Sequence, residues 1–350
     1  MTTAARPIVR VEALDLVRGL CALGVAIYHY RYWTGHAELH NLGLYGVYMF
    51  FALSGASLAL AYAARFRSGY PLSHYFALRY VRLAPLYIAA ATFVMLQTGV
   101  TKVMLEKLAL NATFLFGLAN PGETSIVVGG WSLGIEFCFY LVFPALLAIS
   151  KTRASWLVAV VTVALQIMFV NYVLAGGDLA ASWVRYTQPA AFIGYFCVGT
   201  FVGVRFVDLG SQPWRRALPL ALVAAVLMAG LATFHGRTAA ASLVGLRGVA
   251  CMAACLAVVA IAIRLPMPRW LSPIARLLGD ASYALYLLHP IVFDVLRGRS
   301  TYLQRSPDAL FAVSLVASFA LATLVYRLFE RPVMGWAKAR LRGPSSTAAG

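Results

Sequence analysis

Apolar runs of about 20 residues recur along the whole chain, separated by short polar or basic connections. They lie near 14–33, 42–64, 79–98, 131–149, 155–175, 186–206, 216–234, 240–263, 277–296 and 309–329. Each run matches the thickness of a hydrocarbon core of roughly 30 Å when coiled as a helix, and a helix satisfies its own backbone in lipid. The pattern predicts an all-α fold, a polytopic membrane helix bundle with about ten transmembrane helices. The stretch 100–130 is longer than the other connections, and 104–118 within it predicts an interfacial or re-entrant helix. A single integral membrane domain occupies 1–350, with its core at about 10–336 and tails at 1–9 and 337–350. The final GPSSTAAG has the composition of a disordered tail. The first run lacks a small-residue cleavage site and is too long for a signal-peptide core, so it is expected to be retained.

Composition agrees with the pattern. Of 350 residues, 61% are hydrophobic and 12% charged, against about 45–50% and about 25% in soluble domains. Twenty-nine Lys and Arg face 12 Asp and Glu, a net charge of +17. These basic residues sit between apolar runs, which is the topology signal of membrane proteins and argues against nucleic acid as a partner. With the N-terminus inside, 20 of the 29 Lys and Arg, from Arg6 to Arg342, fall on the cytoplasmic side. Both termini are therefore expected in the cytoplasm, consistent with an even number of spans, and the cell inner membrane is the expected location. All five cysteines lie in apolar runs without a ligand-like spacing, and no metal is expected.

Against this background the polar residues inside the runs stand out. In LDLVRGLCALGVAIYHY, Arg18 and His29 are 11 residues apart. That is nearly three helical turns, so both share one face, roughly 16 Å apart along the axis. Asp15 precedes Arg18 by three residues and shares the face. Such a stripe must face the bundle interior or a wet cavity, although snorkelling to the two surfaces is the plainer account of either residue alone. Arg79 and Arg82, at i and i+3, present two guanidinium forks in one direction, suited to phosphate but also to an ordinary positive-inside anchor. Glu136 lies within an apolar run, one turn before Tyr140, and needs a partner or a proton. Tyr283, Tyr286 and His289 follow at three-residue steps along one side of the ninth run, the pattern of an aromatic packing face. Glu330 stands between Arg327 and Arg331 at a helix end, as an ion-paired cap would.

Together these stretches resemble the acyltransferase-3 family of integral membrane acyltransferases, in the family's order and over about residues 10–336. LDLVRGLCALGVAIYHY is similar to its first-helix signature, with a His eleven residues after the Arg of an Arg-Gly pair. GVYMFFALSGASLAL is similar to G-V-x-x-F-F-x-L-S-G, and RYVRLAPLY to R-x-x-R-x-x-P-x-Y at Arg79, Arg82, Pro85 and Tyr87. WSLGIEFCFYLVFP resembles W-S-L-x-x-E-x-x-F-Y-L-x-x-P, and SYALYLLHP resembles S-Y-x-x-Y-L-x-H. Phe137 stands where many members carry a second acid, and Ala56 departs from the usual residue after L-S-G. The extra esterase-like domain of many relatives is not expected here.

The resemblance implies an acyl-CoA-dependent O-acyltransferase that moves an acyl group, most often acetyl, from cytoplasmic acyl-CoA to a hydroxyl of a carbohydrate or lipid-linked sugar. It implies that Arg18, Arg79 and Arg82 hold the donor, and that His29 acts either as general base or as a transient acyl carrier. A carboxylate, Glu136 or Glu330, would fix the His29 tautomer as the third member of a triad does. Asp15, Trp131, Tyr140, Tyr283, Tyr286 and His289 complete the expected substrate path. The expected partners are acyl-CoA, a glycan acceptor and membrane lipids. The main alternative is a transporter or flippase using the buried polar residues as a path. Inverted repeats would favour it, but the motif-rich region is mostly 14–144 and the middle of the chain is generic.

Overall fold

The computed structural model describes residues 10–36, 38–206 and 211–342. Arg6 and the GPSSTAAG end lie outside them, as does the side chain of Arg342. Among the described residues the chain is helical, without strands. Ten long helices fall on the ten apolar runs: α1 (Glu12–Trp33), α2 (His40–Arg67), α3 (Leu72–Thr98), α4 (Trp131–Ile149), α5 (Ala154–Val173), α6 (Ile193–Phe206), α7 (Trp214–Thr233), α8 (Gly245–Arg264), α9 (Ser272–Arg299) and α10 (Pro307–Val325). A last helix, α11 (Arg331–Arg342), continues α10 through one π-helical turn, Tyr326–Glu330. Among the described residues, seven segments are long and apolar enough to cross a membrane: α2, α3, α4, α5, α7, α8 and α10 with α11. Of the others, α1 and α9 carry charged side chains along their length, and α6 has 14 residues.

Several boundaries differ from those expected, for local reasons. α3 begins at Leu72, directly after Pro71, and so takes in the polar sequence before Arg79. The run at 186–206 becomes helical only from Ile193. Before it lie a single turn, Trp183–Tyr186, and a 3-10 turn at Pro189–Ala191, because Pro189 cannot donate to a continuing helix. The run at 240–263 is split into Ala239–Leu243 and α8 by extended Val244 and by Gly245 at φ +60°. The expected helix at 104–118 is Lys102–Ala112 followed by a 3-10 turn, Leu115–Leu118. The chain from there to α4 is tied down by buried Asn111. Its side chain accepts from Tyr87 Oη at 2.5 Å and from the Ile126 amide, and donates to the carbonyls of Lys107 and Thr124.

Apolar side chains fill the core of the bundle and also cover its outside. α2 is the most deeply buried span, packed by α1, α6 and α8. α5 and α7 turn Trp156, Val160 and Met168, and Leu218, Leu222 and Val226, outward, as a lipid-facing surface requires. Association in lipid relies on close van der Waals fit, which small residues permit. Between α2 and α6 that fit is set by Gly199 and Gly203, one turn apart. A Cβ at Gly199 would lie 2.2 Å from the Ala52 carbonyl oxygen, and one at Gly203 would lie 2.6 Å from that of Ala56.

Those contacts are backbone atoms, which cannot move aside. Gly199→Val is expected to cost about 1–3 kcal/mol, seen as a lowered thermal midpoint in detergent. Gly230→Ala, where an added Cβ meets nothing within 4 Å, is expected to leave the midpoint unchanged or raise it.

Candidate active site

Two cavities lie between the central helices. The first, of about 270 Å³, is lined by Arg18, Ser54, Ser57, Tyr62, Arg79, Arg82, Ser132, Glu136, Tyr140, Ser282, Tyr283 and Tyr286 among apolar residues of α2 and α4. The second, of about 350 Å³, is lined by Tyr28, His29, Tyr48, Trp131, Trp183 and Tyr286, and by the segment from Ser125 to Gly129. Val47 and Tyr286 border both. The stripe on α1 is thus divided: Arg18 opens into one cavity and His29 into the other.

The first cavity holds three guanidinium groups in different states. Arg82 pairs with the buried carboxylate of Glu330, which the π-helical turn brings inward, and its guanidinium lies 5.1 Å from the centre of the Tyr283 ring. Arg18 donates to Ser57 Oγ at 2.9 Å, with Asp15 3.9 Å away. Arg79 makes no ion pair among the described residues. Its guanidinium lies 5.4 Å from the Tyr62 ring centre and 5.8 Å from that of Tyr140. Nη2 donates to Tyr62 Oη at 3.3 Å, and Nε is buried without a partner. A cation sandwiched by aromatic faces and short of acceptors is prepared for an anion. Glu136 accepts from Ser54 Oγ at 2.7 Å and Tyr140 Oη at 2.6 Å.

At the border, the Tyr286 hydroxyl lies 2.9 Å from the Gly129 carbonyl oxygen and 2.8 Å from Ser132 Oγ. Gly129 adopts φ +79°, and a Cβ there would come within 3.2 Å of the Tyr286 hydroxyl, so the turn needs glycine.

Beyond it, His29 Nδ1 lies 2.8 Å from His289 Nε2. The ring centres are 5.0 Å apart and the planes differ by 13°. That separation is close to the largest that such a contact permits, so the rings meet edge to edge in nearly one plane. His289 is fully buried, while His29 is half-buried and reaches the cavity. Tyr30 donates to the His289 carbonyl at 3.1 Å and shares a 2.6 Å hydrogen bond with Ser318. Trp33 lies parallel to the His29 ring.

Of the expected residues, Arg18, Arg79, Arg82, Glu136, Tyr140, Tyr283 and Tyr286 converge on the first cavity, and His29, Trp131 and Tyr286 on the second. Three line neither. Asp15 pairs with Arg10 at 2.5 Å, next to Asp280; Glu330 is taken by Arg82; His289 sits behind His29. The expected carboxylate support of His29 is corrected here. Glu136 and Glu330 bond elsewhere, and the group on His29 Nδ1 is His289. The serines and Tyr62 of the first cavity were missed, although Ser54, Ser57 and Tyr62 are polar positions of one apolar run and hence a detectable signal. The wall from Ser125 to Gly129 belongs to a connection that carries no periodic pattern.

A multi-pass helical membrane protein with an arginine-lined cavity next to a histidine-bearing one is what this geometry defines. The acyltransferase-3 family model, described as an acyltransferase domain, matches residues 11–327. The chain belongs to that family and is a membrane acyltransferase. The exopolysaccharide production protein ExoZ of Rhizobium meliloti (strain 1021) is 28% identical to it over 332 residues, covering 90% of this chain and 96% of that protein. No solved structure matches the chain.

The Arg82–Glu330 pair leads to a stability test. Arg82→Ala leaves a buried carboxylate uncompensated, which is expected to cost about 3–5 kcal/mol. Adding Glu330→Gln should restore most of the thermal midpoint in detergent. Equal midpoints for Arg82→Ala and wild type would remove the pair from the account of stability.

Proposed function

We propose that the protein transfers an acyl group, acetyl in the first instance, from acyl-CoA in the first cavity to a hydroxyl of a polysaccharide or lipid-linked glycan in the second. The observation that carries this reading is that the two cavities share the wall residues Val47 and Tyr286, with unpaired Arg79 on one side and His29 on the other. An anionic, phosphate-bearing donor suits three arginines of which Glu330 neutralises one. The relative named for exopolysaccharide production supports a carbohydrate acceptor. On this reading the arginine-lined mouth and both termini face the cytoplasm, and the protein sits in the inner membrane.

Arg79 and Arg18 bind the donor's anionic groups, and the thioester reaches past Tyr286. His29 Nε2 takes the proton of the acceptor hydroxyl as that oxygen attacks the thioester carbonyl. The C–O bond forms, the C–S bond breaks, and the proton passes from His29 to the departing thiolate. Acyl-CoA and alcohol become ester and free CoA, and His29 is regenerated.

The test uses protein in lipid nanodiscs with radiolabelled acetyl-CoA and a polysaccharide or lipid-linked glycan preparation. Wild type should label the glycan. His29→Ala should lower kcat by about 10²–10⁴-fold, the usual worth of a positioned base; retained activity would sink the assignment. Arg79→Ala should raise the KM for acetyl-CoA by about 10–100-fold, the loss of one charge-assisted contact. An unchanged KM would return Arg79 to a structural role.

A further inference from the structure

The contact between His29 and His289 has a direction, and the backbone of α9 sets it. Pro290 follows His289 and has no amide hydrogen, so the carbonyl of Tyr286, four residues earlier, lacks its helical donor. His289 Nδ1 lies 2.8 Å from that oxygen and 3.1 Å from the carbonyl oxygen of Leu285. A carbonyl can only accept, so Nδ1 carries the hydrogen. In a neutral ring, Nε2 then holds a lone pair. The partner of that lone pair is His29 Nδ1, at 2.8 Å. His29 therefore donates through Nδ1, and its Nε2 is bare. Histidine free in water prefers the opposite arrangement, with hydrogen on Nε2, which would make it useless as a base toward a hydroxyl in the second cavity.

We propose that His289 is a positioning residue: the series from the Tyr286 carbonyl through His289 to His29 Nδ1 holds His29 in the tautomer whose Nε2 can take the acceptor's proton. This rests on the reading of His29 as the base. When Nε2 accepts the proton, His29 becomes an imidazolium whose Nδ1–H stays on His289 Nε2. Donation of that proton to the departing thiolate restores the starting tautomer, so the pair gains and loses one proton with no net change and the Nδ1–H of His29 never leaves it. Tyr30, packed edge-on against the His289 ring, and Trp33, nearly parallel to both imidazoles, restrict the turning of the two rings.

The experiment compares wild type, His289→Leu and His289→Gln in nanodiscs, with acetyl-CoA and the glycan preparation above. Leucine removes the acceptor; the amide oxygen of glutamine replaces it. His289→Leu should lower kcat by about 10²–10³-fold, while the KM for acetyl-CoA stays within about threefold, as expected for loss of the right tautomer rather than of binding. His289→Gln should recover activity to within about tenfold of wild type. Solid-state ¹⁵N NMR of ring-labelled histidine, with His29 assigned by difference from His29→Ala, should show wild-type His29 protonated on Nδ1 and bare on Nε2. The reverse should hold in His289→Leu. Full activity in His289→Leu, glutamine as inactive as leucine, or wild-type His29 protonated on Nε2 would each overturn the proposal. If His289→Leu does not fold, the glutamine variant and the wild-type spectrum decide. An active His29→Ala would remove the base reading alone, because the tautomer spectrum is read without turnover.

Discussion

The close approach of α1 and α9 is the constraint on which the site depends. Gly19 and Gly279 allow it: a Cβ at Gly19 would lie 2.3 Å from Leu278 Cβ, and one at Gly279 would lie 2.4 Å from Asp15 Cβ. Once the helices are this near, their ends are joined by different chemistry. At one end Arg10 bridges Asp15 and Asp280, and Arg276 pairs with Glu12. At the other, His29 meets His289, and Tyr30 bonds the His289 carbonyl. The ionic end fixes the axial register of the two helices; the imidazole end uses it. A slip of one residue along α9 would turn His289 by about 100° away from His29.

Burial governs how unevenly charge is matched in the bundle. Buried ions are tolerated in hydrocarbon only when paired or facing a wet cavity. Along α1 and α9 the charges near the Arg10 end are matched with opposite charges. Within the first cavity Arg82 is matched by Glu330, but Arg79 has only aromatic faces and one hydroxyl. Desolvation of an unmatched guanidinium is costly, and on the proposed function the donor's phosphate would offset that cost. Arg79 and Arg82, one turn apart and alike in sequence, therefore differ physically: one is committed to the fold and the other is open to a ligand.

Much of this was legible in the chain. Run length alone located ten helices, because the bilayer requirement is one-dimensional and needs no knowledge of neighbours. Helical spacing alone put Arg18 and His29 on one inward stripe. What sequence did not show depends on partners distant in the chain. Glu136 reads as an intramembrane carboxylate one turn from Tyr140 and Glu330 as an ion-paired cap at a helix end, and nothing in their spacing tells that Ser54 and Arg82 would claim them. His289 lies 260 residues from His29, so their meeting is a property of packing. The one local clue was the proline after His289, whose effect on the Tyr286 carbonyl becomes meaningful only with the ring's orientation in hand. The helix breaks at Pro189 and Gly245 likewise fall inside stretches apolar enough on average to read as single runs, since run length and periodicity report burial and not backbone continuity.

A second imidazole behind the first, where soluble hydrolases place a carboxylate, follows from the surroundings. A carboxylate at the His289 position would be fully buried, and until His29 is protonated it would have no positive partner. In so dry a setting such a group takes up a proton rather than remain charged, and a protonated acid can donate to His29 Nδ1 and impose the wrong tautomer. A neutral imidazole fixed by a backbone carbonyl has no such failure, because its acceptor nitrogen is defined by geometry and not by charge. The cost is weaker stabilisation of the imidazolium during transfer. On the proposed mechanism, proton return to the thiolate must then be quick, which favours a concerted passage of the proton from hydroxyl to sulfur over a long-lived charged intermediate.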